Sequence, residues 1–95
     1  MVIGYGKIGL ILHDVHSLKA KRKIVKAVVN QVRNNFNASV AETGDNDMHG
    51  RAEIGFALVG NSRQLVNSKM DRIVNMVEDM GITQVADSEM EIMNL

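Results

Sequence analysis

The chain has no cysteine, no proline and no tryptophan, and its 95 residues include one tyrosine and two phenylalanines. Without cysteine there is neither a disulfide framework nor a thiolate metal site, which fits a reducing compartment. Without proline, and with no low-complexity stretch, nothing reads as a linker, and a chain of this length fills one core. A single domain over residues 1–95 is therefore expected. The scarcity of aromatics argues against a sheet that stacks bases on aromatic side chains, as RNA-recognition motifs do. No stretch approaches the roughly 20 apolar residues of a membrane span. The first residues also lack the charged start and long apolar run of a secretory signal. The expectation is a soluble, cytoplasmic protein with no membrane role.

What is present is a normal globular mixture, 45% hydrophobic and 23% charged, whose net charge of zero hides a division. Residues 1–36 hold seven basic residues against one acid, Asp14, whereas residues 37–95 hold four basic residues against ten acids. A basic first third suggests a polyanionic partner, or association between opposite charges.

Periodicity orders the elements. Val2–Leu12 alternates like a strand, with Ile8, Leu10 and Leu12 on one face and Tyr5, Lys7, Gly9 and Ile11 on the other. Ser17 suits an N-cap, and Leu18, Val25, Val28, Val29, Val32 and Phe36 then recur at helical spacing, predicting a helix from about Ser17 to Asn35. The asparagines at 34, 35 and 37 favour a stop. Ala38–Thr43 and Arg51–Val59 read as a hairpin around a polar loop, residues 44–50. Asn61 or Ser62 caps a second helix that reaches about Met80 and buries Leu65, Val66, Met70, Ile73, Val74 and Val77. Gly81 ends it, and a last strand runs from Ile82 or later to Met93. The order β-α-β-β-α-β predicts an α+β ferredoxin-like sandwich, a four-stranded antiparallel sheet with two helices on one face and the first and third strands central.

Particular residues narrow this further. Met1-Val2-Ile3-Gly4, His16-Ser17-Leu18-Lys19 with Lys21-Arg22, Phe36-Asn37 with Ser39-Val40-Ala41-Glu42, and Asp47 with Arg51-Ala52 together resemble the YlxP-like family of small bacterial proteins of unknown function. The resemblance runs over nearly the whole chain. It implies a ferredoxin-like fold and, because members are often encoded beside translation-initiation and ribosome-maturation genes, a role near the ribosome or RNA. The chain departs from the family pattern at His13 (often proline), at His49 (often aromatic) and at Ala20 (acidic in the family), which removes the usual capping box.

The main chemical signal is the first helix. At 100° per residue, Lys19, Arg22, Lys23, Lys26 and Arg33 fall in one sector about 100° wide beside the apolar stripe. No acid on the helix neutralises them, and basic residues in a first turn oppose the helix dipole. Such a face costs stability unless it meets phosphates, where counterion release favours binding. Contacts to ribosomal RNA or the ribosome are expected, against the alternatives of a solvated face or an acidic protein patch. Lys21 instead projects into the apolar stripe, where its stem packs and its ammonium either snorkels past the sheet edge or pairs with Glu42 or Asp47. Arg51 completes this possible charged cluster.

Other patterns carry less. Gly4-Tyr5-Gly6-Lys7-Ile8-Gly9 spells the dinucleotide fingerprint and contains the G-x-x-G of KH domains, yet it sits inside a strand rather than opening or joining helices. Asp45, Asp47 and His49 resemble the start of a calcium loop, but Phe56 stands where its last ligand belongs. His13, Asp14 and His16 suit turn and cap roles, since no third metal ligand is evident. A small enzyme using His16 with Asp14 or Glu42 lacks any nucleophile–base spacing. No metal, nucleotide or other cofactor, and no catalysis, is expected. The open sheet face, with Tyr5, Ile11, Ala57 and Val59, is flat and rather apolar, which suits burial in a homo-oligomer.

Overall fold

The apolar alternation of the first segment becomes strand β1 (Val2–Ile11) in the computed structural model, which describes all residues Met1–Leu95. Helix α1 (Leu18–Phe36), the hairpin β2 (Ser39–Gly44) and β3 (Arg51–Gly60), helix α2 (Arg63–Asp79) and strand β4 (Gln84–Asn94) follow. The sheet order is β2-β3-β1-β4, with every pair antiparallel, so the first and third strands are central. This is the ferredoxin-like arrangement. No helix is long and apolar enough to cross a membrane.

The core lies between one face of the sheet and the two helices. Ile8 and Leu10 from β1, and Ala52, Ile54, Phe56 and Leu58 from β3, meet Val25, Val28 and Val32 of α1 and Val66, Met70, Ile73 and Val77 of α2. Strand alternation supplies the first set and the 3–4 spacing of the helices supplies the second. Leu65 is an exception to the expected stripe. It is 59% exposed, because one residue before Val66 it lies about 100° round the helix from the buried line.

The helix ends are set locally. Ser17 holds extended geometry, and its hydroxyl accepts from Ala20 N at 3.1 Å, so the cap survives without the capping box. Asn37 closes α1 in the left-handed region at φ 48°. Ser62, rather than Asn61, caps α2. Gly81 takes φ +71° beyond Met80, so β4 starts at Gln84.

The six residues that spell a dinucleotide fingerprint lie within β1. Gly4 serves close packing there. A Cβ at this position would stand 2.6 Å from Val66 Cγ1 and 2.8 Å from Met70 Sδ. Gly4→Ala is expected to lower stability by about 1–3 kcal/mol through overpacking, seen as a lower urea midpoint at unchanged slope. An unchanged midpoint would mean that α2 does not rest against β1 this closely.

Candidate nucleic-acid interface

Helix α1 meets the sheet chiefly above β2, and polar contacts near both of its ends fix it there. Near the start, Lys21 is 1% exposed. Its Nζ lies 3.0 Å from Glu42 Oε2 and donates to the carbonyl of Asp45. The ammonium therefore does not snorkel to solvent; it is met inside by β2 and by the first residue of the hairpin loop. Glu42 Oε2 is buried and lacks an aligned hydrogen bond, so its compensation is the nearby charge. Near the far end, Arg33 Nη2 donates to Val40 O at 3.1 Å. Because β2 is an edge strand, this contact also covers part of an open backbone edge.

These contacts determine where the cations point. The helical sector that contains Arg33 overhangs the β2 edge, and by helical geometry it also contains Lys19, Arg22, Lys23 and Lys26. All five side chains are exposed, and none takes part in an ion pair; the ion pairs of the molecule use Lys7 and Lys21. No acid lies in the first turn of α1, and only Arg33 is placed to favour the dipole, in the last turn. The result is an uncompensated positive flank with rigid helical spacing.

The remaining expected residues separate. Glu42 joins Lys21. Asp47 is exposed in the loop and makes no ion pair with Lys21, and Arg51 projects on the opposite side of the sheet, beside Lys7, Asp45, Glu53, Asp87 and Glu89. The four-residue charged cluster is thus a buried pair plus two independent surface charges. His13 Nε2 contacts Gln84 Oε1 at 2.9 Å, tying the β1–α1 turn to β4. Tyr5, Ile11, Ala57 and Val59 share the open face: Tyr5 pairs with Ala57 and Ile11 with Arg51 across β1 and β3. Two contacts were not legible in sequence. The Asp45 carbonyl is aimed at Lys21 from a residue at φ 57°, and Arg33 reaches the β2 backbone. Asp-Asn-Asp signals a turn but not the direction of its carbonyl.

Comparison with known proteins places this geometry in a family. The family described as "Protein of unknown function (DUF503)" matches residues 3–90. The chain belongs to the DUF503 family. A relative, "Uncharacterized protein YlxP" of Bacillus subtilis (strain 168), is 32% identical over 77 residues, covering 81% of this chain and 84% of that protein. The YlxP-like resemblance is therefore correct. Among solved structures, the de novo designed protein Foldit4 is similar at TM-score 0.56 and 12% identity, covering 99% of this chain and 97% of its own. The designed ferredoxin-fold protein LFR1 1 matches at TM-score 0.51 and 14% identity, over 98% and 83% of the two chains. The structural-genomics protein YJCS matches at TM-score 0.56 and 10% identity, over 97% and 99%. At these identities the likeness concerns the fold alone.

The buried pair yields a stability test. Lys21→Ala leaves Glu42 without its counter-charge and is expected to cost about 3 kcal/mol, the lower end of the usual range because Glu42 keeps some solvent contact. The double variant Lys21→Met/Glu42→Leu should recover most of that loss, measured by urea unfolding as a double-mutant cycle. Additive losses would show that the two side chains do not depend on each other.

Proposed function

We propose that the protein is a non-enzymatic cytoplasmic binding domain that grips the phosphate backbone of RNA, at the ribosome, through the outer flank of α1. The observation that carries this reading is the set Lys19, Arg22, Lys23 and Lys26, exposed on a rigid helix and free of acidic partners. A solvated structural helix gains nothing from four adjacent cations with no acid among them, and Lys19, in the first turn, also opposes the dipole. A polyanion turns that cost into favourable counterion release.

The arrangement suits positioning on a backbone rather than reading of bases. It offers cations with no interleaved aromatic, and of the two aromatics in the sheet Phe56 is buried in the core while Tyr5 stands alone on the open face, across the sheet from α1. The family's association with translation genes, implied by the resemblance, favours ribosomal RNA over other polyanions.

The test is co-sedimentation with ribosomal subunits over a range of salt, using wild type and Lys19→Glu/Arg22→Glu/Lys23→Glu. Acids in the first turns favour the dipole, so the variant should keep its helix by circular dichroism. Wild-type binding should weaken steeply with salt, and removing three phosphate contacts should flatten the slope of log K against log salt by about 2 units. Wild type that never co-sediments, or a variant that binds equally well, contradicts the proposal.

A further inference from the structure

The face of the sheet opposite the helices is the least explained surface of the molecule. Of the eight exposed large hydrophobic residues, five lie on it: Met1, Tyr5, Val59, Met93 and Leu95. They adjoin one another, because Ile3 pairs with Val59 on one side and Met93 on the other, and Met1 and Leu95 exchange backbone hydrogen bonds at 2.8 and 3.1 Å. Next to this band is an open hollow of about 460 Å³, floored by the small residues Ser39, Ala41, Gly55 and Ala57 and walled by Tyr5 and, from β4, by Glu89 and Glu91. The other end of the face is charged with both signs. Lys7 stands 3.7 Å from Glu53 and 4.0 Å from Glu89, with Arg51 and Asp87 in the next rows. Contiguous apolar surface of this kind marks an interface.

We infer that this face is covered by a second copy of the chain, packed face to face about a two-fold axis that runs along the strands between β1 and β3. Three observations lead to that occupant. The first is area. Three strands of ten or eleven residues and β2 of six, spaced about 4.8 Å apart with a rise of about 3.3 Å per residue, present a little under about 600 Å² in projection. The accessible surface is larger than its projection, close to the roughly 800 Å² per partner of a stable interface.

The second is that the face carries both a projecting aromatic and, beside it, a hollow floored by small residues. A single surface that supplies both halves of a contact is what an isologous dimer requires.

The third is the gradient along the strands, apolar at one end and charged at the other. An axis across the strands would lay the apolar end of one copy on the charged end of the other. An axis along the strands keeps like rows together, apolar on apolar and mixed charge on mixed charge. The observed register then fixes the neighbours. β1 of one copy lies over β3 of the other, so that Tyr5 sits over the partner's Ala57, at the hollow, and Ile3 over the partner's Val59. β4 lies over the partner's β2. Glu91 then faces the partner's Ser39 and Glu89 the partner's Ala41, so neither meets a further carboxylate, and Asp87 lies over the irregularity at the partner's Gly44. The inference is independent of what α1 binds.

Tyr5 is the chain's one tyrosine and there is no tryptophan, so its fluorescence reports this contact alone. Sedimentation equilibrium at tens of micromolar should give twice the 10.5 kDa chain mass. Tyr5 should be shielded from acrylamide when concentrated and become quenchable on dilution. Ala57→Arg, on the solvent side of the sheet, should sediment as a folded monomer with Tyr5 quenchable at every concentration. A wild-type monomer overturns the proposal, as does a dimer whose Tyr5 is freely quenched or one that persists in Ala57→Arg. If Ala57→Arg does not fold, the wild-type quenching alone decides between the outcomes, and Tyr5→Arg repeats the mass measurement at an exposed position.

Discussion

The arrangement turns on how one buried ammonium is satisfied. Lys21 occupies the middle of the apolar stripe of α1, where a charge without a partner would be strongly unfavourable. It is tolerated because Glu42 and the Asp45 carbonyl converge on it. Packing of Val25, Val28 and Val32 is non-directional and would tolerate small rotations of the helix, but an ion pair at one end and the Arg33–Val40 hydrogen bond near the other do not. The rotation of α1 decides which residues overhang the β2 edge. A pair hidden in the interior thus sets the direction of four cations outside.

The sheet then separates two surfaces of different chemistry. Cations project along one flank of the helical layer; an apolar band and a mixed-charge region occupy the open face. A dimer through the open face would leave both helical layers outward, so the two readings do not compete for surface. They would also reinforce each other, since two basic flanks on one particle bind a long polyanion with an effective concentration that a single flank lacks.

Much of this was legible in the sequence, for physical reasons that differ by element. The strand alternation of Arg51–Gly60 and the 3–4 spacing in both helices report burial directly, so fold and layer order follow. The separation of Lys21 from the basic sector was equally legible, since helical angle depends only on sequence position. The choice of partner for Lys21 was not. Glu42 and Asp47 were both candidates, and β2 places Glu42 on the helix side while the loop carries Asp47 away. Arg51 was legible and misjudged: alternation with the buried Ala52 and Ile54 already puts it on the open face of β3, away from Lys21. Leu65 failed for a smaller reason, one residue of helical phase.

If α1, and not the sheet, meets a phosphate backbone, a short unstructured RNA titrated into isotope-labelled protein and followed by NMR should shift backbone amides concentrated between Lys19 and Arg33. These shifts should fade as salt is raised, with the amides of Tyr5, Ala57 and Val59 unmoved. Shifts centred on the open sheet face, or none at low salt, would contradict a phosphate-binding α1.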